Sequence, residues 1–142
     1  MVDVVRRDKV SYESATAMVT AAIAEARKTG FTISVVVTDP AGGLIAVGRM
    51  DGAHEGTAEY ARKKAYFSGR SGKHTEDYVH DRLTQDEIIW RALSSDSDLF
   101  LTPGGVPIVV DGTTVGGVGV SGAPYATDAA LERAAVDGAS YK

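Results

Sequence analysis

The sequence predicts an α+β fold in which helices pack on an antiparallel sheet. Two stretches rich in β-branched residues fold back at turn signals and read as hairpins: "FTISVVVTDPAGGLIAVGRM" and "VPIVVDGTTVGGVGVSG". Helical periodicity lies before, between and after them. Hairpins separated by helices build a sheet with helices laid on it, here in the order α-β-β-α-(α)-β-β-α. The chain has 142 residues, enough for one domain over residues 1–142 with a substantial core and too few for two.

The first helix is carried by "SYESATAMVTAAIAEARKTG". Ser11 is placed to cap it, Ala15, Met18, Val19, Ala22, Ile23 and Ala26 recur on one face, and Gly30 closes it. "FTISVVVTD" is the first strand, "PAGG" turns the chain, and "LIAVGRM" returns as the second. "DGA" ends that strand, and a helix follows over about residues 54–67. Each helical residue turns by about 100°. Thr57, Tyr60, Ala61, Lys64, Phe67 and Ser68 therefore share an arc, with Ala65 at its edge, and Glu55, Glu59, Arg62, Lys63, Tyr66 and Arg70 lie on the other side. "SGRSGKH" reads as a glycine-rich loop. "TEDYVHDRL" and "TQDEIIWRALSS" read as short helices broken at Thr84, and "SDSDLFLTPGG" as a loop. In the second hairpin Asp111-Gly112 fits the two-residue turn that twisted strands prefer. Gly116, Gly117 and Gly119 let another backbone or a ligand come close to its second strand. The last helix, "ATDAALERAAVDGASY", starts near Thr127 or Asp128 and turns Ala130, Leu131 and Ala134 inward.

The formal net charge of −4 gives no basic footprint for nucleic acid. With no cysteine there is no disulfide framework, thiol nucleophile or cysteine metal site. "MVDVVRRDKV" lacks the apolar core of a signal peptide, and no stretch approaches a membrane span. A cytoplasmic protein with neither nucleic-acid nor membrane partner is expected.

Several chemical signatures fail on inspection. "GGVGVSG" has glycine spacing like a phosphate loop, but Gly122 is followed by Ala123-Pro124 rather than Lys-Ser/Thr. No G-x-G-x-x-G opens a βαβ unit. Ser121 sits in "GVSGA" without the strand-to-helix elbow of a serine nucleophile. His74 and His80, six residues apart, fall on different faces of a helix, so no metal site is predicted. A haem needs only one histidine and stays open. His54 stands at a strand–helix junction beside "RMDGA". Arg49 and Asp51 point the same way at a strand end. They form either a surface ion pair of little worth or an anion-binding rim in which Asp51 orients Arg49. Lys64 is the exception, a lysine in the middle of a small and aromatic face. Such a lysine is paired, working, or both. The neighbouring strand ends offer it Asp51 or Asp39.

Three blocks, "VVVTDPAGGLIAVGRMDGA", "ARKKAYFSGR" and "GGVPIVVDGTTVGGVGVSGAPYATDAALERAA", together resemble the GlcG/HbpS-like family, also called haem-degrading, and the C-terminal domain of PduO-type proteins. The likeness runs over residues 11–138. Its last block is the most specific, with Gly104-Gly105-Val106-Pro107, the Asp111-Gly112 turn, Gly119-Val120-Ser121-Gly122 and Asp128. The resemblance implies a profilin-like α/β/α sandwich around an antiparallel sheet of about five strands, assembled into tetramers, hexamers or octamers. The family's Ala-x-x-Lys-Ala falls on Ala61, Lys64 and Ala65, and its Arg-x-Asp-Gly begins at Arg49 and Asp51. The chain departs from the pattern between Ser71 and Thr102. There a glycine- and proline-rich loop is replaced by a charged segment, of which His74 to Ser95 is expected to form helices and to lie over the mouth of a pocket.

Two functional readings stay open. The first is a small-molecule-binding protein, with haem or a related tetrapyrrole as the reference ligand and Arg49, Asp51, Gly104, Gly105 and Ser121 as ligand-binding residues. The second is a cofactor-independent enzyme on a small carbonyl or carboxylate metabolite. There Lys64 serves as proton shuttle or amine nucleophile, Arg49 holds an anionic group, and His54 or Tyr60 is the general acid. A homo-oligomer is expected in either case, and a ligand-free assembly module is the third reading.

Overall fold

A computed structural model describes residues 1–83 and 86–139. Its helices are α1 (Tyr12–Thr29), α2 (Gly56–Ser71), α3 (Thr75–Tyr78), α4 (Glu87–Ser94) and α5 (Tyr125–Ala139). Its strands are β1 (Ser34–Thr38), β2 (Leu44–Arg49), β3 (Gly105–Val110) and β4 (Thr113–Ser121), and α3 runs on into a π-helical turn over Val79–Leu83. The ends of α1 follow from its caps. The Ser11 hydroxyl accepts from the Ser14 N–H, and Gly30 stops the helix at φ 79. Asp111 and Gly112 both take positive φ, 49 and 77, which makes the tight β3–β4 turn.

All strand pairs are antiparallel, in the order β2-β1-β4-β3. Four strands among the described residues correct the expected five. Among the described residues the strands all lie in the two hairpins, and those between the hairpins are helical or irregular. In the central strand Ser34 lies opposite Arg49 on one side and Ser121 on the other.

Helices cover both faces, so the sandwich is α/β/α. On one face α1 and α5 bury Met18, Ala22, Ala26, Leu131 and Ala135 against Val35, Val37, Val118 and Val120. On the other face α2 lies on β4 and β1 with a much thinner seam of Val36, Ala61 and Ala65. This seam is thin because helix backbone rests on strand backbone. A Cβ at Gly117 or Gly119 would run into the carbonyls of Ala65 and Ala61. The glycine-rich strand thus serves the approach of another backbone.

Two further readings are corrected. "SGRS" is not loop, because α2 continues to Ser71 and ends at Gly72 with φ 71. Gly69 is small because it packs on the Asp39 carbonyl and the Gly117 N–H. In α5, Ala130 is exposed and Ala134 half-buried, whereas Asp128, Ala129, Leu131, Glu132 and Ala135 are buried. Two acids, not two alanines, occupy the inward arc. Thr84, Ser140 and Tyr141 lie outside the described residues, as does the break expected at Thr84. No helix of the described residues is long and apolar enough to cross a membrane.

Candidate functional site

Lys64 leaves the middle of α2 between Ala61 and Ala65 and is fully buried. Its Nζ donates to the Val120 carbonyl at 2.8 Å, to the Pro103 carbonyl at 2.9 Å and to Asp128 Oδ2 at 3.4 Å. The other Asp128 oxygen accepts from the Ala123 N–H at 3.0 Å. One ammonium thereby ties together the loop before β3, the end of β4 and the start of α5. Gly104 makes room for it. At φ 125 its α-carbon faces the ammonium, and a Cβ there would lie 2.9 Å from Nζ. Gly105 is fixed beside it, its N–H donating to the buried Thr75 hydroxyl at 3.0 Å.

Burial pulls Lys64 below the ordinary lysine pKa and pushes Asp128 above the ordinary carboxylate pKa, while their mutual attraction opposes both shifts. As an ammonium, Lys64 has three protons on three acceptors and no free lone pair. The arrangement suits a clamp better than a nucleophile. The expected partners of Lys64 are corrected. Asp39 spends its carboxylate on the Ala41 and Gly43 N–H groups of the β1–β2 turn, and Asp51 is exposed beyond β2. The true partner, Asp128, stands one helical turn before Glu132 on the inward arc of α5.

Glu132 is 1 % exposed, and neither of its carboxylate oxygens has a hydrogen-bond partner. Burial pushes its pKa up to about 8, with Glu76 and Asp128 adding to the rise and Arg133 and Lys64 opposing it. The His74 ring stands next to it, with Nδ1 4.0 Å from Glu132 Oε1. That is too far for a hydrogen bond. The His74 ring is 39 % exposed and stands at the start of α3. Beside it Arg133 reaches Glu76 at 3.4 Å, closing a seam between α5 and α3.

Along α2 runs a second feature, an apolar groove. The Phe100 ring stacks on Tyr60, centroids 4.5 Å apart and planes 17° apart, and lies 5.8 Å from Lys64 Nζ. Tyr66, Phe67, Arg70, Leu93 and Leu99 line a groove of about 260 Å³, and Trp90, Leu93, Leu99, Phe100 and Leu101 line its neighbour. Arg62 bridges Glu59 at 2.6 Å and Asp98 at 3.7 Å, holding this loop to α2. Of the segment expected to cover a pocket, Thr75–Leu83 and Glu87–Ser94 are helical, the residues after Ser94 are irregular, and α4 forms a wall of this groove.

The predicted residues fall into three places. Lys64, Gly104 and Gly105 come together at the clamp, with Tyr60 joined to them through Phe100. Ser121 lies opposite Ser34, whose hydroxyl meets that of Thr57 at 2.8 Å. Thr57 in turn donates to the His54 carbonyl at 2.6 Å. His54 is exposed, and its Nδ1 accepts from the Gly56 N–H at 3.1 Å. Arg49 and Asp51 lie apart from the clamp, around a shallow depression with Ile23, Arg27 and Met50. Sequence reasoning missed Glu132. Its signal was the spacing of Asp128, Leu131, Glu132 and Ala135, which share a helical arc.

A family model described as "Haem degrading protein HbpS-like" matches residues 10–137. Protein GlcG of Escherichia coli K12 is 33 % identical over 115 residues, covering 79 % of this chain and 81 % of GlcG. The crystal structure of HbpS superposes with a TM-score of 0.87 at 29 % identity, over 95 % of this chain and 93 % of the other. The Klebsiella pneumoniae protein ORFY shares the fold with a TM-score of 0.90 at 21 % identity, over 100 % and 98 % of the two chains. A PduOC–haem complex does so with a TM-score of 0.83 at 21 % identity, over 92 % and 94 %.

Proposed function

This chain belongs to the HbpS-like family, and we propose that it is a small-molecule-binding protein whose ligand is haem or a related tetrapyrrole. The observation that carries this reading is the groove between α2 and residues 90–101. Its walls are largely aromatic and aliphatic, and Arg70 of α2 lines it. A flat macrocycle with carboxylate arms asks for that combination, apolar walls for the ring and a guanidinium group for an acid. The family's description and the haem complex of the PduOC chain support the same ligand. Haem brings four nitrogens to its own iron and asks the chain for an axial donor and a shaped apolar wall.

In this reading Lys64, Gly104 and Gly105 touch no ligand. They fix the loop that carries Phe100, and so hold one wall of the groove. The enzymatic alternative gains nothing from the site, since the Lys64 amine is committed to three acceptors. The chain is also proposed to assemble with copies of itself. Leu44 and Val47 on the edge strand β2, and Ile88 and Trp90 on α4, expose 51–82 % of their surface.

Titration with ferric haem, followed in the Soret region, tests the ligand. A saturable spectral shift at one haem per chain is expected. Haem spectra unchanged by excess protein would overturn the reading.

A further inference from the structure

We propose that residues 1–7 form an arm that docks into a groove on a second copy of the chain, the two copies exchanging arms. The exchange rests on the assembly reading above and supplies it with a contact separate from β2 and α4.

The arm is apolar and uncovered. Val2, Val4 and Val5 are 74–92 % exposed, and residues 1–9 carry no helix or strand. Single exposed apolar side chains are ordinary, but a run of them asks for a partner. The root of the arm is fixed. Val10 is buried in the main core, and its N–H donates to the Val115 carbonyl at 2.9 Å.

The groove lies at that root. β1 ends with Thr38 opposite Gly117, whereas β4 begins at Thr113, so the β3–β4 hairpin overhangs the central strand. Under the overhang is a cavity of about 420 Å³. Val10, Met18, Ile108, Val110, Val115 and Val136 give it apolar walls, drawn from α1, β3, β4 and α5. Its rim carries Asp8, Lys9 and Asp111. Arg6 and Arg7 follow the valines of the arm and meet an acid in Asp111 of the second copy, with Lys9 opposing.

The arm does not suit its own groove. To enter it, the chain must reverse between Val5 and Val10. "VRRDKV" has no glycine or proline for a tight turn, and the valines before it favour extended backbone. Extended, nine residues reach about 30 Å, far enough to cross to a neighbour. Because root and groove adjoin, a two-fold axis beside them lets each arm enter the other copy's groove. Such a contact is self-complementary and closes on itself.

The chain has no cysteine, so introduced thiols report without background. Val4→Cys chains and Val110→Cys chains carrying a tag of different mass are co-expressed and treated with a short bismaleimide. Mass spectrometry should find the two kinds of chain joined to each other. Joining confined to a single chain, in the double variant, overturns the exchange, as does no joining at all. Sedimentation gives the second readout. Deletion of residues 1–7 should yield an assembly of about half the native mass with the native far-UV spectrum, and Val110→Arg, which sets a cation against Arg6 and Arg7, should do the same. A native oligomer whose size neither change alters overturns the arm and leaves the assembly reading standing. A native chain that sediments as a monomer removes both.

Discussion

Lys64 is the side chain on which three segments meet. Replacing it with methionine removes the charge but little helix propensity, and takes the ammonium donor from Asp128, the buried Val120 carbonyl and the half-buried Pro103 carbonyl. Removing one partner of a buried pair costs roughly 3–5 kcal/mol. Lys64→Met is therefore expected to lower the denaturation midpoint sharply, and Lys63→Met, one position away on the wetter side, to leave it nearly unchanged. Equal midpoints for the two variants in urea would refute the clamp.

Glu132 gives a pH signature of the unliganded protein. Its folded pKa, about 8, lies above the unfolded value near 4.5. The native state therefore holds a proton that the unfolded chain has released. The resulting stability is complete below pH 4.5 and falls as pH rises toward 8, at up to about 1.4 kcal/mol per unit. The groups that face Glu132 are His74 and Glu76 from α3, Lys64 from α2, and Asp128 and Arg133 from its own helix. Glu132→Gln should flatten this slope and melt higher than the native chain at pH 7–8, measured by calorimetry across pH. A glutamine variant with the native slope would place the carboxyl elsewhere than in the interior.

Among the elements, the pair α2–β4 decides how close the layers come. Gly119→Ala puts a methyl group onto the Ala61 carbonyl, which belongs to helix backbone and has nowhere to go. Overpacking of this kind costs 1–3 kcal/mol or more, and the upper end is expected here. Gly112→Ala offers the contrast. Nothing lies within 4 Å of its Cβ, and only its φ of 77 opposes a side chain, at a cost of about 1–2 kcal/mol. Melting of the two variants should rank Gly119→Ala as the more damaging, and the reverse order would mean that the helix can lift off the strand. The extent of α2 was misread for a related reason. A glycine that packs against a backbone and a glycine that ends a helix are the same letter. Gly69 does the first and Gly72 the second.

For the whole molecule, the open sheet ends in β2 on one side and β3 on the other. β3 carries Pro107, a residue that blunts an edge, whereas β2 has no proline and exposes Leu44 and Val47. Sedimentation at micromolar concentration is expected to give a multiple of 14.9 kDa. A single species at the chain mass would count against assembly. Replacing Leu44 and Val47 together by lysine should shift the distribution toward smaller species if the β2 side is an interface.

The sequence by itself determined what local rules govern. The cap and stop of α1, the strand runs, the Asp111-Gly112 turn and the order of elements were all legible, because periodicity and turn chemistry act over a few residues. It also singled out Lys64, since a helical arc is local too. Tertiary structure decided who meets whom. Asp128 lies 64 residues from Lys64 in the chain and reaches it only when α5 folds back beside β4. Asp39 and Asp51 looked better placed on paper, but one is used in its own turn and the other faces solvent. Arg49 and Lys64, each conspicuous alone, are parted by the central strand, with Ser34 between Arg49 and Ser121 in the register. Glu132 became visible only once burial was known, because an acid on a helix is ordinary until the fold removes its water.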